Sequence, residues 1–424
     1  MTHDLTPATL AAEAAGRGFS ADARTPLSRW WFIGFGGAWF AFWLLMMLPG
    51  QYLIVKLASI LDPAEKVGVG SFLIAETGVV VLLAVPVIGW LCDRSNPRFG
   101  RRRSWALGGF VVASVPFALV GAQVSWQSAA VLLGVVALGQ SAVLVSLSAM
   151  IADQVPIAQR GRASAAMGIP QVIALAGGML IVTELVTDVA WSWAVIAMIA
   201  LAAPLPFLLG FREPVARARA ETDGHEAALT APRRGRPPLA AYRDFGWVTV
   251  SRVLVNAGNL VGTTYLLFFL SDALGLPDAE GALMSLILVY LVASGLASWA
   301  GGRLTDRFRS RRVLVAISAG LQAAAALVLA FVPSWPASIV AAVLLGLGYG
   351  LFLAVDQALL TDVLPDERTR ARDLGIVNAI QHLPIAPLIG WAALAAAGFS
   401  ELYVAAAVVI LLGGLAVFRV RSVR

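Results

Sequence analysis

Charge is what this chain has least of: 13% of its 424 residues are Asp, Glu, Lys or Arg, against 59% hydrophobic, where soluble domains average about 25% charged. That shortage excludes an ordinary water-soluble globule and makes the bilayer the solvent. Cysteine is nearly absent. Cys92 stands alone, so no intrachain disulfide can form and the redox compartment goes unread. Lysine occurs only at Lys56 and Lys66, and neither follows a glycine-rich loop or precedes Ser or Thr, which excludes the phosphate-binding loop of ATP-driven machines. Two of the histidines, His3 and His225, lie in polar segments. With no His-Glu-x-x-His and no cysteine cluster, no metal and no other cofactor is expected. Long polar loops bearing a catalytic constellation are missing as well, so an enzyme is not expected. The opening MTHDLTPATLAAEAAGRGFSADART has no basic start, apolar centre and cleavage site, and reads as a polar tail rather than a signal peptide.

Long apolar runs are what is there. A hydrocarbon core of about 30 Å takes about 20 apolar residues per helix, and twelve stretches meet that length, with Gly and Pro inside them as membrane helices tolerate. We place them at about 30–55, 68–91, 105–124, 128–152, 164–187, 190–211, 246–270, 281–302, 313–333, 337–361, 374–397 and 400–418. Between the sixth and seventh lies Arg212 to Asp244, rich in Arg, Ala and Pro, which reads as a linker. The expected fold is all-α and polytopic, twelve transmembrane helices forming two six-helix bundles. The expected divisions are a tail at 1–29, a first bundle at 30–211, a linker at 212–245, a second bundle at 246–418 and a closing tail at 419–424.

The formal charge of +6 would suggest nucleic acid on a soluble face, but here the arginines sit in short loops between apolar runs. Every arginine except Arg252 falls in a tail, the linker, or the loops after the second, fourth, eighth and tenth stretches. Both lysines fall on the other side, among Asp62, Glu65, Asp188, Asp272, Asp278, Glu280 and Glu401. Because positively charged loops stay inside, both termini are expected in the cytoplasm, with the chain multi-pass in the plasma membrane.

One hinge organises the pattern. Gly89 to Trp105, GWLCDRSNPRFGRRRSW, breaks from an apolar run into an Asp-Arg pair and a cluster of arginines. A shorter version, GGRLTDRFRSRR, recurs from Gly301. In both a glycine precedes the aspartate by four residues (Gly89 and Asp93, Gly302 and Asp306), and Arg94 or Arg307 follows directly. After the fourth and tenth stretches come DQVPIAQRGR, from Asp153 to Arg162, and DVLPDERTRAR, from Asp362 to Arg372. Gln171 then matches Gln381 once one insertion is allowed, and Gln51-Tyr52-Leu53 matches Thr264-Tyr265-Leu266. A duplicated unit in parallel pseudo-repeat follows.

Over essentially the whole chain these residues resemble the major facilitator superfamily. Its signature, Gly-x-x-x-Asp-Arg-x-Gly-Arg-Arg, is met by Gly89, Asp93, Arg94, Gly100, Arg101 and Arg102, with extra residues between Arg94 and Gly100. The longer spacing is similar to the glycoside-pentoside-hexuronide and sucrose-transporter branch of cation-coupled sugar symporters, although Ser104 stands where that branch has proline. The resemblance implies alternating access of two bundles, and a cytoplasmic gate at Gly89, Asp93, Arg94, Gly100, Arg101, Arg102, Asp153, Arg162, Gly302, Asp306, Arg307 and Asp362. Asp93 would be held there by an arginine or helix start of the opposite half; the same arginines equally suit topology and anionic headgroups.

Polar groups inside the spans mark the candidate cargo site, since each is costly there. Arg252, Asn256, Asn259 and Thr263 recur at helical spacing and share one face. Their counterparts in the first half include Trp39 and Trp43, an aromatic wall facing a polar one, which suits a pyranose ring. Tyr349, Asp356 and Gln357 add to the tenth stretch, Asn378, Gln381 and His382 to the eleventh, and Gln171 to the fifth. Asp356 is expected to pair with Arg252, and proton coupling is assigned to Asp356, Arg252 and Glu76, with Glu76 open to a second reading as a hydrated vestibule residue. The function expected is proton-coupled symport of a sugar or similar polar solute by a monomer. A proton-driven antiporter for amphipathic metabolites or drugs is the alternative.

Overall fold

The computed structural model describes residues 26–95, 97, 99–156, 159–211, 242–307, 311–363 and 385–420. Within them the chain is helical throughout and has no strand. Hydrocarbon cannot hydrogen-bond a backbone, so each crossing closes its own bonds as a helix. The helices are α1 (Arg29–Leu61), α2 (Lys66–Arg94), α3 (Arg101–Val120), α4 (Trp126–Gln154), α5 (Gly161–Leu185) and α6 (Val189–Gly210). After residues 212–241, where most of the expected linker lies outside the described residues, follow α7 (Arg243–Ala273), α8 (Ala279–Arg307), α9 (Arg311–Phe331), α10 (Trp335–Asp362), α11 (Ile385–Ala397) and α12 (Phe399–Arg419). Eleven are long and apolar enough to cross a membrane, and α11 is described from Ile385 only.

Two corrections to the sequence boundaries have one cause. The third helix starts at Arg101 and the seventh at Arg243, earlier than hydropathy suggests, because arginine is a good helix former however polar. Gly100 makes the early start of α3 possible. It sits at φ 95°, a left-handed turn that glycine adopts without strain.

Side-chain caps mark four of the helix starts. Ser28, Ser125, Asp188 and Ser334 each accept a backbone N–H three residues on, satisfying a group the helix leaves open. Ser125-Trp126 before α4 and Ser334-Trp335 before α10 are repeat mates with the same cap.

Packing repeats as well. In the first half α1 packs on α5 and α6, α4 on α2 and α3, and α3 on α6. In the second, α7 packs on α11 and α12, α10 on α8 and α9, and α9 on α12. The two six-helix bundles thus share one packing scheme in parallel order. Arginines tie down the same ends: Arg103 at the start of α3 donates to the Leu208 and Leu209 carbonyls of α6, and Arg312 at the start of α9 donates to the Val420 carbonyl after α12. Each guanidinium satisfies carbonyls that a helix C-terminus leaves without partners.

Candidate functional site

Three groups of polar side chains stand out: one near the arginine-rich loops, one midway, and one at the acidic face. At the arginine-rich face, Arg102 is buried and reaches Asp93 at 2.9 Å, Asp153 at 2.9 Å and the Cys92 sulfur at 3.2 Å. These charge-assisted bonds join the ends of α2, α3 and α4 within the first half. Asp93 thus has a partner in its own bundle. Arg101 donates to the Asp93 carbonyl, and Arg94 lies over the Trp90 ring. Gly89 sits in α2 and Arg162 is exposed at the start of α5. Gly302, Asp306, Arg307 and Asp362 fall in the last turns of α8 and α10, with the side chains of the last three outside the described residues.

Midway, the Arg252 Nε lies 3.2 Å from the Asp356 Oδ2, joining α7 to α10, with side chains 7% and 6% exposed. Neither Nε nor Nη1 of Arg252 makes an aligned hydrogen bond among the described residues. The pair is an ion contact that leaves donors unsatisfied, a costly condition in a dry site. One turn on, Asn256 donates to the Arg252 carbonyl; Asn259 donates to Gln322 of α9 at 3.1 Å. Gln322 is fully buried, with its Nε2 also unpartnered among the described residues. Tyr349 lies tilted against Tyr290 of α8, ring centroids 6.1 Å apart. Gln322 and Tyr290 were not singled out from the sequence. The available signal was a lone Gln in an otherwise apolar α9 and an aromatic pair at the height of Asp356.

The facing half is aromatic but largely inward-packed. Trp39 is 1% exposed, sits edge-on to Phe35 and Phe42, and lies in the core of the first bundle. Trp43, half-buried, donates its indole N–H to the Met167 carbonyl of α5 at 3.0 Å. Gln171 is half-buried on the same helix. Glu76 turns toward α4, where a Cβ on Gly134 would lie 3.2 Å from its Oε1, and its buried Oε2 has no hydrogen-bond partner among the described residues. Gln357 lies in α10 with its side chain outside the described residues; Asn378, Gln381 and His382 lie outside them altogether.

At the acidic face the halves meet. Tyr52 of α1 donates to Glu280 at the start of α8, and Lys56 reaches both, at 2.7 Å to the Tyr52 hydroxyl and 2.9 Å to Glu280. Lys66 at the start of α2 pairs with Asp272 at the end of α7, 2.5 Å away. The repeat mate of Tyr52, Tyr265, crosses the other way, bonding Ser71 of α2 at 2.6 Å and the Pro387 carbonyl of α11 at 2.8 Å. Each tyrosine thus reaches the second helix of the opposite half. Gln51 to Thr263 at 3.4 Å, and Gly68 against the Trp391 indole, complete the seam. The chain's two lysines, out of place by charge, are both spent on this junction. All these cross-half contacts lie at the face opposite the arginine-rich loops.

Comparison with known proteins is consistent with this geometry. The family model for the Major Facilitator Superfamily matches residues 31–297 and 253–424. Among solved structures, the nucleoside transporter NupG aligns with TM-score 0.70 at 11% identity, covering 92% of this chain and 99% of its own. A peptide transporter of the POT type aligns with TM-score 0.68 at 13% identity, covering 91% and 93%. A bacterial homologue of the human lysosomal transporter Spinster, described as inward-facing and occupied, gives 0.64 at 15%, covering 91% and 94%. At such identities the likeness is one of fold. A search among curated proteins finds no match.

Proposed function

The chain belongs to the major facilitator superfamily, and from that premise we propose that it is a proton-coupled symporter of a sugar or similar polyhydroxylated solute. The halves at 30–211 and 246–418 move as two bodies joined by the segment 212–245. The arginine-rich loops and both termini lie on the cytoplasmic side of the plasma membrane, so the acidic-face seam, closed here, is an outer gate. The hinge spacing supports a reading within the glycoside-pentoside-hexuronide and sucrose-transporter branch. One copy is sufficient for transport.

The observation that carries this reading is the Arg252–Asp356 pair, buried yet left with guanidinium donors that have no hydrogen-bond partner among the described residues. Hydroxyl oxygens of a cargo complete those donors, and a proton on Asp356 loosens the pair so that cargo and proton are taken and released together. Asn256, Asn259 and Tyr349 lie along the same face and edge, and Trp43 offers a ring for the apolar side of a pyranose. Glu76, whose buried Oε2 has no partner among the described residues, is a second proton acceptor. A proton crossing 100 mV supplies about 2.3 kcal/mol, enough for roughly fortyfold accumulation.

The test is uptake into liposomes under an imposed pH gradient, screening labelled sugars, with a nucleoside and a short peptide as comparators because structural neighbours carry those. Gradient-driven accumulation of a sugar is expected, reduced by Asp356→Asn to equilibration without accumulation. Accumulation that Asp356→Asn leaves intact would remove the coupling role. Efflux of an amphipathic cation with no sugar movement would replace symport by the exporter reading.

A further inference from the structure

Away from the midline, an open groove of ≈ 720 Å³ runs down the outside of the first bundle, within the range of about 300–1,000 Å³ typical of ligand sites. Its walls are Ile88 of α2, Trp105 and Val112 of α3, and Leu138 of α4, with Gly108 in the floor. α2 and α3 both pack on α4, and the groove is the space left over. Its surroundings are apolar and exposed: Val112 and Leu138 are 43% and 45% exposed, and Val87, Trp90, Leu91 and Val111 extend the surface. At the arginine-rich end the lining gains the hydroxyls of Ser95 and Ser104, with Pro97 between the helices, and the Trp105 indole donates to the Ser95 hydroxyl at 2.6 Å. Arg101 lies one helical turn before Ser104 on the face that carries Gly108 and Val112, and Arg94 precedes Ser95.

We propose that this groove is a binding site for an anionic phospholipid, one acyl chain lying along Trp105, Gly108 and Val112 and the phosphate meeting the Arg94 and Arg101 end. The lining runs from apolar Val112 and Leu138 to Ser95 and Ser104, which adjoin Arg94 and Arg101 in the chain, the same order of apolar and charged parts as in such a lipid. A soluble phosphate ester has no use for the apolar length, and a zwitterionic lipid has less use for the cations. The occupied groove braces the hinge at its two edges, since Arg101 already holds the Asp93 carbonyl and Trp105 holds Ser95.

Gly108 provides the test, because a Cβ there meets nothing within 4 Å and a larger side chain fills the groove without strain. Purified full-length protein in mild detergent is exposed to phosphatidylglycerol, to phosphatidylcholine with the same chains, or to glycerol 3-phosphate, and retained molecules are counted by native mass spectrometry. Retention of phosphatidylglycerol over phosphatidylcholine by about fivefold is expected, the weight of one cationic contact at an anionic surface. Gly108→Leu and, from one turn deeper, Val112→Trp should abolish that retention while Gly108→Ala keeps it. Arg101→Gln should reduce the preference while leaving retention of both lipids. Equal retention of the two lipids by the unmodified protein, or undiminished retention by monodisperse Gly108→Leu and Val112→Trp, would overturn the site. Binding of glycerol 3-phosphate as strong as that of the lipid would reduce it to a bare anion contact and overturn the groove's part in it.

Discussion

Arg252 and Asp356 show what a single ion pair does inside a bundle. Desolvating two charges costs several kcal/mol each, and their attraction returns this only when the remaining hydrogen bonds are made. Among the described residues they are not all made, so the pair adds little to stability by this measure. Asp356→Leu alone, which leaves Arg252 buried without a counter-charge, should cost about 3–5 kcal/mol, whereas Arg252→Met with Asp356→Leu should recover most of it. Thermal unfolding in detergent measures both. A double variant as unstable as the single one would mean that the pair is a structural requirement. The pairing was legible in the sequence because ionisable residues in spans are so few that each points to the other. The seam formed by Tyr52, Lys56, Glu280 and Lys66 was not, since charges near a membrane surface have many possible partners and only the way the halves close selects among them. The hinge pairing was half legible: Asp93 and Arg102 were both marked, but not that they pair with each other nine residues apart.

Among the described residues, helix positions were readable from hydropathy to within a few residues at each end, since a span must be apolar over its whole length. Helix contacts depend on small residues, which hydropathy ignores. Gly139 of α4 touches Gly109 and Ala113 of α3, while Gly348 of α10 touches Ser318 and Gln322 of α9, at one constant offset, the same that relates Asp153 to Asp362. In lipid, where apolar surface gains nothing by leaving the solvent, such close backbone approach is a main source of helix association. A Cβ at Gly139 would lie 2.7 Å from the Gly109 carbonyl, and one at Gly348 2.8 Å from the Ser318 carbonyl. Gly139→Val and Gly348→Val should each cost about 1–3 kcal/mol by overpacking. Gly168→Ala, with open space around its Cβ, should not lower the unfolding temperature. Equal shifts at all three positions would show a general response to glycine loss rather than to the crossing. The breaks in α1 and α7 belong to the same scale. A π-helical turn at Pro49–Leu53 and an interruption at Tyr265 fall beside the paired tyrosines, and each re-aims its ring toward the opposite half.

At the scale of the whole molecule the seam must be strong enough to select one state and weak enough to leave it. Lys56 and Glu280 keep 17% and 34% of their side chains exposed, and partly hydrated pairs of this kind contribute about 0.2–1 kcal/mol each. Adding the tyrosine and serine bonds at about 0.5–1.5 kcal/mol apiece gives a bias of a few kcal/mol, the size of gap across which a ligand can shift populations. A larger, apolar seam would hold one state permanently. If the junction opens during every cycle, tethering it must stop transport without harming the fold. Cys92, the one cysteine, is buried, so the native chain offers a nearly silent background for thiol chemistry. Lys56→Cys with Glu280→Cys, joined by a short bis-maleimide, should block net uptake in liposomes while each single variant, treated alike, continues to transport. A reducible linker should restore uptake on reduction. Full-rate transport by the tethered pair would mean that the acidic-face contacts persist throughout the cycle and that the moving boundary lies elsewhere between the two bundles.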